Sequence, residues 1–233
     1  MRLILRHLNT TRQALLPQIR VLEDHSLVTG SNDIYKLTPI GELVVDAMVP
    51  LLDTMSVLDN DIDYWGTHKL DFIPDHLLAK MDLLDNFRTV KPPLSEMFEL
   101  NKEFLEHSKR SESIYKVTTY FHPDFPALFS ELTDNDINVH LIITEEAFDK
   151  LRTDRYEHYQ KLVENDLIKL FVYPKKIDFL MYTYNDHCIL MHLLKISGES
   201  DPTHIICHSP DAVKWGKELF EYFLKDSIPV AGQ

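Results

Sequence analysis

Apolar residues near the start of the chain recur at helical spacing. Leu3, Ile4 and Leu8 share a face over Arg2–Leu8, and Leu15, Ile19 and Leu22 repeat at i, i+4, i+7 over Thr11–Glu23. Asn9-Thr10-Thr11 between them offers turn and N-cap oxygens. The pattern then changes. Ser26-Leu27-Val28 and Ile34-Tyr35-Lys36-Leu37 read as strands joined by Thr29-Gly30-Ser31-Asn32-Asp33, a hairpin. Thr38-Pro39 opens a long helix over Gly41–Asp61, with Thr38 as N-cap, carrying Leu43, Val44, Ala47, Met48, Leu51, Leu52, Met55 and Leu58. Pro17 and Pro50 sit inside these helices, where a proline costs about 3 kcal/mol in a regular interior.

From Lys91-Pro92-Pro93 onward the pattern is α/β. A helix is predicted over Leu94–Ser108, a strand over Ile114–Tyr120, a helix over Pro123–Asn135 and a strand over Val139–Ile143. A helix within Ala147–Asn165 and a strand over Leu167–Tyr173 follow. Phe179–Tyr184 and Cys188–Leu194 read as a hairpin turning near Asn185-Asp186. His204–Cys207 is a strand and Asp211–Lys225 a closing amphipathic helix. Such alternation implies a partly parallel sheet covered by helices. The expected division is 1–49, a winged helix-turn-helix; 50–91, linker and dimerisation helices; and 92–233, an α/β domain.

Charge sharpens this division. The 233 residues hold 24 Lys+Arg against 37 Asp+Glu, a net charge of −13. Yet Met1–Leu22 contains Arg2, Arg6, Arg12 and Arg20 and no acid. Residues 1–49 balance at five against five, so the whole deficit falls on 50–233. An acidic bulk repels nucleic acid, so contact with double-stranded DNA is expected only at the N-terminal module. There Arg12, Gln13, Leu16, Pro17 and Arg20 lie opposite the packing face, as a recognition helix requires. Lys36 on the wing would assist, and Thr10 and Thr11 would hold phosphates of the operator. The apolar positions Val44, Met48, Leu51, Met55 and Leu58 suggest the seam of a homodimer.

Other chemistry is sparse. Six glycines without a cluster argue against a nucleotide-cradling loop, and no Gly-x-Ser-x-Gly elbow occurs. No enzymatic role, cofactor or metal is therefore expected. The two cysteines, Cys188 and Cys207, lie in apolar runs and read as buried thiols of a cytoplasmic protein. No run of about 18 apolar residues suggests a membrane partner. Ligands of such sheets sit beyond the carboxyl ends of parallel strands. Those ends offer His122, Asp124, Thr144, Tyr173, Lys175 and Lys176, a set suited to a small anionic or hydroxylated effector. One alternative is a metal- or redox-responsive sensor using Cys188, His192 and His204–His208. Another is a small-molecule enzyme whose winged helix serves protein contacts.

Three segments carry a family resemblance: Thr11–Ile19; Tyr64-Trp65 with His68 and Ile73–Leu78; and Ala212–Tyr222. In these the chain resembles archaeal transcriptional regulators that join a winged helix to the middle domain named after methanogenesis regulators. The resemblance implies sequence-specific DNA binding, a dimer and an effector-sensing C-terminal domain. That domain's strand order also resembles the phospholipase-D-like sensor of archaeal sugar-responsive regulators. The phospholipase pattern His-x-Lys-x4-Asp is missing; its nearest trace, His107-Ser108-Lys109, has Ile114 where the aspartate belongs. The expected class is thus α+β with an α/β sensor. Winged helices of this type begin with a further helix before the pair seen here. Either that first helix is missing or a partner covers the gap, and an incomplete winged helix would leave Leu3, Leu8 and Leu15 underpacked.

Overall fold

The computed structural model describes residues 1–230. They form two compact units, Met1–Asp53 and Thr54 onward.

In the first unit, α1 (Arg2–His7) and α2 (Arg12–Asp24) are joined by a turn in which Asn9 takes a left-handed backbone. Thr11 caps α2, its hydroxyl accepting from Ala14 N at 3.3 Å. The helix runs through Pro17, which lies on its exposed side. Strands β1 (Val28–Ser31) and β2 (Ile34–Leu37) pair antiparallel, with Ser31 opposite Ile34. That leaves a two-residue turn, Asn32-Asp33, tighter than the five-residue turn expected. Both residues have positive φ (52° and 61°), which a primed turn requires and which Asn and Asp tolerate. Helix α3 spans Pro39–Asn60, with Thr38 Oγ1 accepting from Gly41 N at 3.0 Å as the predicted N-cap. Gly41 is obligatory here: a Cβ at that position would lie 1.9 Å from the Leu27 carbonyl oxygen.

The second unit is built on an eight-stranded mixed sheet. Its strands are β3 (Arg88–Val90), β4 (Ser113–Thr118), β5 (Asn138–Thr144), β6 (Ile168–Tyr173), β7 (Phe179–Asn185), β8 (Ile189–Leu193), β9 (His204–Cys207) and β10 (Ile228–Pro229). The spatial order is β10-β6-β5-β4-β7-β8-β9-β3; β4, β5 and β6 are parallel and the other pairings antiparallel. The short edge strands β3 and β10 carry no alternation long enough to read from sequence.

Strand alternation sends side chains into two cores. One face, with Val117, Ile142, Tyr182, Ile189, Met191 and Ile205, packs under α10 (Pro210–Lys225) and the segment from Tyr64 to Phe87. That segment contains α4 (Ile62–Thr67), α5 (Asp75–Leu78) and a 3₁₀ turn over Met81–Leu84. The other face, with Ile114, Val139, Leu141, Leu170 and Leu190, packs under α6 (Lys102–Ser108), α7 (Phe125–Thr133), α8 (Glu145–Asp154) and α9 (Tyr156–Val163). Trp215 and Phe220 anchor α10, both fully buried, and Trp215 Nε1 donates to Leu77 O at 3.0 Å. Gly216 lets α10 sit directly on β7 and β8. A Cβ there would meet Tyr182 Oη at 2.7 Å and Ile189 Cγ2 at 2.8 Å.

Three expectations are corrected. The 50–91 stretch is not a separate linker: Trp65, Ile73, Leu77, Met81 and Leu84 are core residues of the α/β unit, and β3 is its edge strand. The helix expected over Leu94–Ser108 begins only at Lys102, because Asn101 caps it by accepting from Phe104 N at 2.8 Å. The helix within Ala147–Asn165 is two helices, broken at Arg155 with φ −139° and ψ 47°. Among the described residues, no helix is long and apolar enough to cross a membrane.

Candidate functional site

On α2 the i, i+4, i+7 positions Gln13, Pro17 and Arg20 form an exposed row opposite the buried Ile19; Leu16 is half-buried beside them. Lys36 on β2 and Thr11 are exposed as well, and Thr10 is half-buried. Arg12 stands apart. Its Nη1 and Nη2 donate to both carboxylate oxygens of Asp33 at 2.9 and 2.7 Å, tying the start of α2 to the hairpin turn. This fork raises the Arg12 pKa and lowers that of Asp33, chiefly through the hydrogen bonds themselves. Asp33 engages both terminal nitrogens of Arg12, while the Arg12 side chain stays 53% exposed. The pairing of residues 21 positions apart depended on the Asn32-Asp33 turn, which the sequence pattern had spread over five residues.

In the α/β unit the six candidate ligand residues do not converge. Thr144 caps α8, accepting from Ala147 N at 3.4 Å. Tyr173 packs on Phe223 in the α10 core. Lys175 pairs with Asp226 at 2.7 Å, and Lys176 with Asp178 at 2.8 Å, so the presumed cationic rim consists of two surface ion pairs. Tyr173 and Lys175 are neighbours on that surface, while His122 and Asp124 lie together at the mouth of a cavity of about 640 Å³. This lies on the sheet face opposite α10. Its walls come from the 97–105 segment, the loop from Tyr120 into α7, and strands β4, β7 and β8. His122 latches the mouth, its Nε2 lying 2.9 Å from the Phe98 carbonyl oxygen.

The cavity wall is mainly apolar, with Phe104, Phe125, Leu128, Met181 and Leu190. Lys116 reaches into it from β4. The residue is 4% exposed, its Nζ lies 2.8 Å from Met181 Sδ, and it sits 4.8 Å from the Phe125 ring centroid. Burial pushes its pKa down to about 7. Next to it, His192 stacks on His204 at 4.4 Å. Burial first, then the neighbouring His204 and Lys116, lower the His192 pKa to about 3, so it is neutral. Sequence reading missed Lys116. Its signal was parity, since it shares a strand face with Ile114 and Thr118, both buried.

The alternative metal set does not converge as a whole, although His192 and His204 stack on each other. Cys188 belongs to one core and Cys207 to the other, and both are free thiols. Burial, opposed in part by the Asn185 hydrogen bond, raises the Cys188 pKa to about 12, which disfavours the thiolate a metal or oxidant needs. A different trio does converge: Glu103 and His107, one turn apart on α6, with His208 after β9, have ligand atoms within 4.8 Å of one another. The Glu103 carboxylate is engaged there by Arg88 at 2.6 Å and by His208 at 2.9 Å.

Residues 97–226 match the family described as methanogenesis regulatory protein FilR1, middle domain. Over 227 residues the chain is 25% identical to methanogenesis regulatory protein FilR1 of Methanothrix harundinacea (strain 6Ac), covering 94% of this chain and 49% of that protein. It therefore spans about half the length of this curated relative. Among solved structures, similarity extends to TrmBL2, described as an archaeal chromatin protein with a novel mode of DNA binding. The TM-score is 0.48 and the identity 12%, over 91% of this chain and 80% of that one. Nuc, a phospholipase D family member from Salmonella typhimurium, gives a TM-score of 0.45 and 13% identity, over 62% of this chain and 97% of its own. With more than half of its residues inside the matching segment, the chain belongs to the FilR1 middle-domain family.

Proposed function

We propose that this protein is a cytoplasmic DNA-binding transcriptional regulator, used as a homodimer, whose α/β unit takes a small-molecule effector. The observation that carries the reading is the exposed Gln13–Pro17–Arg20 row of α2, set in a 22-residue N-terminal stretch with four arginines and no acid. The regulatory role of the FilR1 relative supports it. Gln13 and Arg20 read base edges, Leu16 and Pro17 pack on the groove, and Thr10, Thr11 and Lys36 hold phosphates. Arg12 serves first to brace the wing through Asp33. The dimer seam runs along α3 through Val44, Met48, Leu51 and Met55, of which the last three are exposed. Leu58 is withdrawn from it, because it packs on the α/β core.

Genomic-fragment selection with the purified protein tests this. One enriched, palindrome-like sequence is expected, and Arg20→Ala should weaken its binding by about 1–3 kcal/mol while relaxing one position. Salt-sensitive binding without enrichment would refute sequence-specific regulation. The Glu103–His107–His208 trio favours a second reading, a metal-responsive regulator. Equilibrium dialysis against zinc decides it: no stoichiometric uptake, or uptake unchanged in His107→Ala, removes it.

A further inference from the structure

Lys116 is a lone cation in the cavity. Among the described residues it makes no ion pair, and the acids that line the same space are engaged elsewhere. Asp201 pairs with Lys195 at 3.4 Å and accepts from Thr203 N at 2.7 Å. Glu99 pairs with Lys102 at 3.2 Å, and Asp124 lies 3.7 Å from His122. His204 lies 2.9 Å from Asn101 Nδ2 at its Nε2 and 3.1 Å from the Pro202 carbonyl oxygen at its Nδ1, which suits the neutral ring protonated on Nδ1. A buried ammonium facing apolar walls is costly unless an anion joins it. The cavity's size lies within the range of small-molecule sites.

We infer that this cavity is the site of a monocarboxylate with an apolar body, its carboxylate seated on the Lys116 ammonium and its body against Phe104, Phe125, Met181 and Leu190. The inference rests on, and deepens, the reading of the α/β unit as an effector domain. A single charge is specified because Lys116 stands alone beside a neutral His192; a phosphate monoester or dicarboxylate would bring charge that nothing in the cavity balances. Around Lys116 the wall is apolar, with Phe104, Phe125, Met181 and Leu190, which favours an apolar body next to the charged end. Phe98, 78% exposed, lies in the 97–105 segment that lines the cavity.

The probe pair is decanoate and decan-1-ol, titrated calorimetrically into the intact protein and into Lys116→Met. Methionine keeps the length of the side chain and removes the buried charge. The wild type should prefer the acid over the alcohol by about ten- to a hundred-fold, the worth of a charge-assisted hydrogen bond. In Lys116→Met that preference should vanish while alcohol binding persists, which also reports an intact cavity. Equal affinity for the two probes, no binding of either, or acid binding unchanged in Lys116→Met would overturn the site. Proton uptake supplies a readout independent of the variant. Burial depresses the Lys116 pKa to about 7, so acid binding should draw in a proton around neutral pH, and the uptake should change with pH as it crosses the free and bound pKa values. The other titratable groups facing it are Glu99, Tyr120, His122, Asp124, His192 and Asp201. Uptake that does not change with pH, or that survives in Lys116→Met, counts against the assignment. Repeating the fragment selection with saturating decanoate separates the two readings. An acid that binds through Lys116 but leaves DNA binding unchanged upholds the site and refutes its use as an effector switch. Altered DNA binding upholds both.

Discussion

Ile19 is the one buried apolar side chain of the first unit, whereas the second unit buries both faces of an eight-stranded sheet among the described residues. Both stretches are rich in apolar residues. The first leaves Leu3 77% exposed and Leu51 60% exposed. The difference lies in layers, not composition. A sheet between two helical layers gives each inward residue a neighbour on every side. Two short helices and a hairpin have one shared face and leave the rest to water or to a partner. The second unit can therefore accommodate a cation in its interior, and the first unit depends on what covers α3.

The largest test strikes the layered unit. Trp215→Ala empties the seat of α10 and orphans the Leu77 carbonyl, so urea denaturation should show a loss of about 3–5 kcal/mol. A change under 1 kcal/mol would mean that the two cores do not set the unit's stability. Next comes Lys116→Met. The ammonium is depressed to about 7 in the folded chain against an ordinary value near 10.5, so the folded state binds fewer protons between those limits. Its cost is present in full below pH 7 and is relieved as pH rises towards about 10.5. The variant should be more stable than the parent at pH 6, by about 3 kcal/mol, with the gap closing by pH 10. A less stable variant at pH 6 would show that the cavity already compensates the charge.

A glycine pair comes third. Gly216→Ala should destabilise by about 1–3 kcal/mol, since the methyl meets Tyr182 and Ile189. Gly66→Ala, in α4 with open space around it, should stabilise by about 0.5–1 kcal/mol. Equal effects at both would contradict the close seating of α10. The smallest effect belongs to the exposed unit. Asp33→Asn, which tolerates the positive φ of the turn, removes the charge that holds Arg12 at the wing tip and should leave the unfolding midpoint unchanged. Fragment binding should tighten, with a salt slope steeper by about one phosphate contact. A shifted midpoint would mean the Arg12–Asp33 fork holds the first unit together.

What the sequence disclosed follows the range over which each signal acts. Closing helix α10, strand β9, the Asn185 hairpin and the Thr38 cap are local patterns, and they stand where periodicity and capping chemistry put them. Helix α6 was read too long because apolar spacing from Leu94 outweighed one capping asparagine. The ligand residues failed for a different reason. Lys175 and Asp226 are 51 positions apart, and no spacing rule tells that a loop lysine is already paired. The cavity is assembled from four distant segments, and Lys116, in a strand of β-formers, looks like an ordinary outward-facing charge until the sheet has a back.

The bond from Trp215 to Leu77 spans 138 positions, and strand β3 finds its partner β9 over a similar stretch. In a chain emerging from its N-terminus, the segment from Tyr64 to Val90 is complete long before the helix and strand that cover it have been made. Its tryptophan, isoleucine and leucines must wait, unhoused, while some hundred further residues are synthesised. This order of birth favours late, all-or-none closure of the α/β unit over stepwise growth. It also makes α10 the element that closes the α/β unit over the waiting segment.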